Sequence, residues 1–155
     1  MADGFIRTGP ADVERMREDL RLAEEAARAA GRDPSRLGFA QRQNAFPWVD
    51  GDAWDVVRGG AAHQTGVYRG WAAGGDTPGK GFVIGQVDDA TLRTLTPAGQ
   101  PEELVRILRP QVEAFGERKD FHLIFRLHYP GMAFETAAGA VELFGERVLP
   151  ALKGT

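Results

Sequence analysis

An alternation of apolar segments and amphipathic helices is the feature that most constrains the fold of this chain. Residues 3–6 have the pattern of a short buried strand, and residues 37–43 have that of a second strand. Between them, over residues 12–30, apolar side chains recur at every third or fourth position, as on one face of a helix. Strand, helix and strand in this order form a βαβ unit, so the sequence predicts an α/β fold with parallel strands.

The same rhythm returns in the last third of the chain. A helix is predicted to begin at Gln100 and to end at Gly116, where glycine favours termination. A third strand is predicted over residues 121–129, and a closing helix over residues 135–152. The sequence thus predicts three strands, each followed by a helix.

Residues 44–100 interrupt this rhythm and are expected to form an insertion or lid within one domain, residues 1–155. A helix is predicted over residues 54–71, although Gly59, Gly60 and Gly66 weaken it. Residues 72–97 are expected to be a loop with a short strand at 81–87, because glycine and proline are frequent there. The glycine-rich run at 74–80 lacks the spacing of a phosphate-binding loop, and we interpret it as a flexible lid or a disordered loop.

Composition excludes several classes of function. The formal net charge is -3, and the basic residues form no stripe, which argues against a nucleic-acid partner. Cysteine is absent, so disulfides and thiolate metal ligands are excluded. No apolar run approaches the ~20 residues of a membrane span, and no signal segment is evident, so a cytoplasmic location without a membrane partner is expected. The histidines lack zinc-hydrolase spacing, and no metal site is predicted.

Four motifs, in order along the chain, resemble the luciferase-like monooxygenase superfamily of flavin-dependent oxidoreductases. They are ADGFI at residues 2–6, AAGRDPSRL at 29–37, QPEEL at 100–104 and LFGERVLPAL at 143–152. The family usually has threonine or serine where this chain has Gln100, a poorer N-cap. The resemblance implies a partial (β/α)8 TIM barrel, corresponding to the last three strand-helix units of an enzyme more than twice as long.

The resemblance also implies a function. The complete enzyme would use FMN or the deazaflavin coenzyme to oxidise or reduce a small organic substrate, whereas this chain alone need not bind either cofactor. The chain would then be the C-terminal part of such an oxidoreductase or monooxygenase, incomplete as an enzyme by itself. The alternative is a non-catalytic remnant or association module that forms a homo-oligomer or completes a barrel with an N-terminal half-barrel chain. The resemblance leaves FMN or deazaflavin, the substrate and the catalytic residues open.

In a barrel strand, alternate side chains face the surrounding helices and the barrel axis. For the third strand the apolar set is expected to face the helices and the remaining set the axis: Leu123, Phe125 and Leu127 outward, His122, Ile124, Arg126 and His128 inward. For the second strand, Leu37 and Phe39 are expected outward and Gly38, Ala40, Arg42 and Asn44 inward, although Gln41 would then face helices. Arg126 and His128 would lie at the C-terminal end, where barrel enzymes carry their active sites.

Arg42 and Arg126 are expected to converge on one pocket from neighbouring strands. Two guanidiniums would suit a phosphate, sulfonate or carboxylate on a cofactor or substrate. The alternative is an arginine-glutamate network at the barrel mouth that includes Glu135, and the sequence leaves both open.

Three aromatic residues complete the set of binding candidates. Tyr129 opens a Pro-Gly turn and could line or cover the site. Tyr68 and Trp71 are typical of helix packing, like His63, but they could also lie beside a flat isoalloxazine ring.

Overall fold

The structure of the protein is a computed structural model that describes residues 3–10, 12–72 and 86–154. Its strands are β1 (Gly4–Thr8), β2 (Gly38–Asn44), β3 (Phe46–Pro47), β4 (Ala98–Gly99) and β5 (Phe121–Arg126). Its α-helices are α1 (Val13–Ala29), α2 (Ala53–Ala72), α3 (Asp89–Leu95), α4 (Pro101–Phe115), α5 (Phe134–Leu143) and α6 (Leu149–Lys153). A 3-10 turn spans Pro34–Arg36 and a π-helical segment spans Phe144–Val148.

The main sheet has the strand order β1-β2-β5, and both strand pairs are parallel, as the sequence predicts. Phe5, Phe39 and Phe121 lie side by side in register across it. They form one core with Met16 of α1 and Phe115 of α4, so these helices cover one face of the sheet. In the described part of the chain much of the opposite face is open, because Ile6 is 63% exposed and Ile124 is 42% exposed.

Gln41 shows how a polar residue is accommodated on the face that carries the helices. Its side-chain oxygen accepts a hydrogen bond from Arg7 Nη1 at 3.0 Å, and its nitrogen donates to the Gly9 carbonyl at 3.0 Å. Arg7 is also paired with Asp19 of α1, at 2.6 Å. The oxygen and the nitrogen of the buried amide are therefore both hydrogen-bonded. This removes the free-energy cost of burying a polar side chain toward the helices.

The second core joins α4 and the closing helix to the end of β5. Leu104, Leu108, Phe144 and Val148 are buried there, with Phe125 and Leu127 packed against them. Phe39, Phe125 and Leu127 thus face the helices, as predicted.

The closing helix predicted over residues 135–152 is present over residues 134–153, but it is not α-helical throughout. A π-helical segment separates α5 from α6 and ends two residues before Pro150. Proline cannot donate a backbone hydrogen bond, and its ring collides with the carbonyl four residues earlier in an α-helix. A local π-helical widening accommodates such a residue without ending the helix.

In residues 44–100, the predicted helix is confirmed as α2, whereas the predicted loop proves to contain α3. The Asp88 carboxylate accepts a hydrogen bond from the Thr91 amide at 2.9 Å and begins α3. This N-cap stands among turn-forming residues, which is why the local sequence indicated a loop. Of the predicted strand at 81–87, Gln86 and Val87 have no regular structure, and its other residues lie outside the described ones, as does the run at 74–80.

The ends of this segment are brought together by a second sheet that the sequence analysis did not predict. In it β3 pairs with β4 in parallel, with Phe46 opposite Ala98. The division of the chain into a barrel part and an insertion stays a prediction.

Close contact with the turn after β5 fixes the position of α2. A Cβ added at Gly60 would lie 2.7 Å from both the Pro130 carbonyl oxygen and Tyr129 Cβ. Strand β5 ends at Arg126 and not at the predicted residue 129, because a turn follows in which the Met132 amide donates to the Tyr129 carbonyl at 3.1 Å. Gly131 has φ +82°, which agrees with the predicted type II turn.

No helix in the described part of the chain is both long enough and apolar enough to cross a membrane.

Candidate functional site

Two adjoining cavities lie between α2 and the C-terminal ends of β2 and β5. The first has a volume of about 300 Å³ and is lined by Arg42 and Asn44 of β2 and by Arg69 of α2. The second has a volume of about 410 Å³ and is lined by Arg126, His128 and residues of α2. Gln64 and Tyr68 line both cavities, so the two form one continuous candidate site, which we call the strand-end site.

Arg42 and Arg126 project from the same face of neighbouring strands. Asn44 is the register partner of Arg126, and Ile124 is that of Arg42, so the arginines are offset by two residues along the strands. Burial lowers the pKa of Arg42, and the positive charge of Arg126 lowers it further. Two cations are therefore held close enough to destabilise each other.

No carboxylate among the described residues forms an ion pair with either arginine. Arg42 Nη2 is buried and has no hydrogen-bond partner there. The network with Glu135 that the sequence left open is thus not formed within residues 3–10, 12–72 and 86–154. A buried guanidinium nitrogen without an acceptor is costly unless a ligand supplies one.

Tyr68 of α2 contacts Arg126. Arg126 Nη2 donates a hydrogen bond to Tyr68 Oη at 3.4 Å. This bond lowers the pKa of the Tyr68 phenol, and the charges of Arg126 and Arg42 contribute in the same direction. The rings of Tyr68 and Trp71 meet edge to face at 5.4 Å between centroids, with 44% and 51% of these residues exposed. They present aromatic surface beside a cationic group.

Asn44 ties the end of β2 to the end of α3. Its amide nitrogen donates to the Leu95 carbonyl at 3.0 Å and to Thr96 Oγ1 at 3.3 Å. Its side-chain oxygen is buried and has no partner among the described residues, so it could accept a hydrogen bond from a ligand.

Tyr129 does not line either cavity, contrary to the prediction that it could line or cover the site. It is 1% exposed, lies in a core cluster with Phe46 and Trp54, and donates a hydrogen bond to the Ala45 carbonyl at 3.3 Å. Burial raises the pKa of its phenol well above the usual range. The type II turn points this side chain inward, whereas His128, the residue before it, is exposed at the second cavity.

Gln64 and Arg69 are lining residues that the sequence analysis did not select. Gln64 is 8% exposed and stands in a helix stripe that otherwise contains apolar or aromatic residues. The presence of a polar residue in such a stripe is the sequence signal that could have indicated Gln64 as a lining residue. Arg69 gave no comparable signal, because its place at the cavity depends on how α2 is oriented.

The strand-end site has the opposite charge character to the whole chain. Its lining includes Arg42, Arg69 and Arg126, together with His63 and His128, but no aspartate or glutamate among the described residues. The chain itself has a formal net charge of -3. Within the described ranges no group of three or more His, Cys, Asp or Glu could hold a metal ion. The site is therefore suited to bind anions and aromatic groups.

Comparison with solved structures identifies the fold. The chain matches the monooxygenase RslO1 from Streptomyces bottropensis with a TM-score of 0.59 and 23% identity, over 95% of this chain and 41% of that one. It matches the coenzyme F420 dependent tetrahydromethanopterin reductase from Methanopyrus kandleri with a TM-score of 0.58 and 19% identity, over 98% and 46%. The chain has part of a luciferase-like barrel fold.

The resemblance of the sequence to luciferase-like enzymes is thus confirmed at the level of the fold. The chain spans less than half the length of both solved relatives. No family model and no curated protein matches the sequence.

Proposed function

We propose that this chain supplies one wall of the active site of a flavin-dependent, luciferase-like oxidoreductase or monooxygenase that acts on a small organic substrate. The strand-end site carries the proposal, because barrel enzymes place their active sites at the C-terminal ends of the strands. The two solved relatives are named as a monooxygenase and as an F420-dependent reductase, which supports a flavin-type cofactor.

The residues of the strand-end site fit a flavin in two respects. Tyr68 and Trp71 offer half-exposed aromatic surface on which a planar ring system can stack. Arg42 and Arg126, which no described carboxylate pairs, offer positive charge for the anionic part of FMN or F420. When bound, such a cofactor would supply hydride transfer or oxygen chemistry, whereas the chain's own residues bind and orient it.

The open face of the sheet explains why this chain should be incomplete as an enzyme by itself. Ile6 and Ile124 are exposed there, and among the described residues β1 and β5 each pair along one edge only. A ligand at the strand ends would therefore keep one side in water, where electrostatic and stacking interactions are weak. We expect millimolar affinity for flavin, which corresponds to about -4 kcal/mol, and no turnover.

Titration of the full chain with FMN, followed by flavin fluorescence anisotropy, tests the proposal. Saturable millimolar binding is expected, and Trp71→Ala should weaken it several-fold. Phe134→Ala is the matched control, because Phe134 is 78% exposed on α5 and lines neither cavity. Absence of saturable binding, or equal effects of the two substitutions, would contradict the proposal.

A second function is favoured by the open sheet. Exposed Ile6 and Ile124, together with unpaired strand edges, are features through which chains associate. The chain could then act as a non-catalytic module that dimerises or completes a barrel with an N-terminal half-barrel chain. In sedimentation velocity, this function predicts a concentration-dependent dimer that Ile124→Lys disrupts, together with no flavin binding.

A further inference from the structure

We propose that Arg42, Arg126 and Tyr68 form a subsite for a phosphate-type dianion, carried either by the cofactor or by the substrate. The proposal deepens the function proposed above and rests on it for the identity of the bound molecule. The phosphate chemistry itself rests on the contacts and charges of the strand-end site.

The guanidiniums of Arg42 and Arg126 have unsatisfied hydrogen-bonding capacity among the described residues. Arg42 Nη2 is buried without a partner in the described part of the chain, and Arg126 bonds there only to a neutral phenol, at 3.4 Å. The buried Arg7 is paired with Asp19 and the half-buried Arg118 with Glu24, and the half-buried Arg109 donates to the Ala151 carbonyl. The two arginines at the strand ends thus lack the described carboxylate partner that Arg7, on the helix-covered face of the sheet, has in Asp19.

The positive charge of the site selects the class of ligand. Arg42 and Arg126 together present two positive charges, and neither cavity has a described carboxylate in its lining. A carboxylate ligand would neutralise one of these charges, whereas a phosphate monoester, with a second pKa of about 6, neutralises both near neutral pH. Guanidiniums also match the geometry of phosphate oxygens.

Tyr68 supplies a third donor. Its oxygen already accepts the bond from Arg126, and the phenolic hydrogen has no acceptor among the described residues, so it can point into the cavities, both of which Tyr68 lines. Donors from two strands and from α2 would then surround the anion.

Inorganic phosphate is the probe for the test. The full chain is titrated at constant ionic strength and about pH 8, where the dianion prevails. Amide chemical shifts in NMR spectra report the affinity, with sulfate and acetate as comparison anions. Phosphate and sulfate should shift residues around Arg42, Tyr68 and Arg126 at lower concentrations than acetate.

Substitutions separate the subsite from a general charge effect. Arg126→Gln and Arg42→Gln should each weaken phosphate binding at least about tenfold, and Tyr68→Phe should weaken it less. Arg17→Gln makes the same change of charge on an exposed part of α1 and should leave phosphate binding unchanged. Equal weakening by Arg17→Gln and Arg126→Gln, or acetate binding as tight as phosphate binding, would overturn the proposal.

Comparison of FMN with riboflavin identifies the source of the phosphate and separates the two proposals. If FMN binds more tightly and Arg126→Gln removes the difference, the cofactor carries the anion. If phosphate binds but FMN and riboflavin bind equally, the substrate carries it. If phosphate binds and neither flavin does, the subsite stands and the flavin function fails. If flavins bind and phosphate does not, the subsite fails and the flavin function stands.

Discussion

Two adjacent glycines of α2 should respond in opposite directions to the same substitution. Gly59 has open space where a Cβ would be, whereas a Cβ at Gly60 would lie 2.7 Å from the Pro130 carbonyl oxygen and from Tyr129 Cβ. Alanine raises helix propensity by about 1 kcal/mol relative to glycine at either position. At Gly59 this gain is expected in full.

At Gly60 the gain is outweighed by overpacking, which costs about 1–3 kcal/mol in a packed site. The upper end of this range is expected, because the added Cβ would contact the Pro130 carbonyl oxygen, a backbone atom that cannot rotate away. We therefore expect Gly60→Ala to lower the free energy of unfolding by about 2 kcal/mol and Gly59→Ala to raise it by about 1 kcal/mol. The consequent difference in Tm is about 6–12 °C for a chain of this size.

Urea denaturation followed by circular dichroism measures both variants under the same conditions. Because α2 carries Tyr68 and part of the lining of both cavities, Gly60→Ala should also weaken phosphate binding, whereas Gly59→Ala should not. If the two variants shift stability equally and in the same direction, α2 does not pack against the turn after β5 as described.

Three further predictions concern the tyrosines and α3. The chain has two tyrosines, and absorbance at alkaline pH should show two steps, Tyr68 below the usual phenol pKa and Tyr129 above it. Arg126→Gln should raise the pKa of Tyr68, which loses a hydrogen bond and a nearby positive charge, and also that of Tyr129, which loses the nearby charge. Because the folded pKa of Tyr129 is raised, its contribution to stability is complete below pH ~10 and is lost above it. Tyr129→Phe should lower the free energy of unfolding by about 1 kcal/mol at neutral pH, because a hydrogen bond is lost. It should also reduce the fall in the free energy of unfolding at alkaline pH. If that fall is unchanged in the variant, the phenol is not buried as described. Asp88→Ala should destabilise α3 by removing its N-cap, which a lower melting temperature would reveal and an unchanged one would exclude.

Periodicity and turn chemistry were sufficient to predict the parallel sheet and most of its helices. The buried stripe of α1 and the apolar sets of β2 and β5 are local patterns, and each directs one face of an element to the core. The inward direction of Arg42 and Arg126 followed from the same alternation. The structure adds that these two arginines line adjoining cavities.

The features that the sequence did not predict depend on contacts between distant residues. Sheet β3-β4 joins segments of two residues each, too short for a pattern. Gly60 was interpreted as weakening α2, whereas it permits the close approach that fixes the helix above the strand ends. Tyr129 was assigned to the mouth of the site because of its place in the sequence, but the turn directs its ring into the core. Each outcome is decided by tertiary packing, which local propensity does not encode.

The most direct test of the account is to map where FMN binds on the chain, with about 10 mM FMN to approach saturation of a millimolar site. The largest amide shifts in the NMR spectrum should fall on residues 42–44 and 63–71 and on residues 126–131. These segments form the strand-end site and the turn that holds α2 against it. Shifts confined to α1 and the outer side of α4, or the absence of any shift, would contradict the assignment of this chain to one wall of a flavin site.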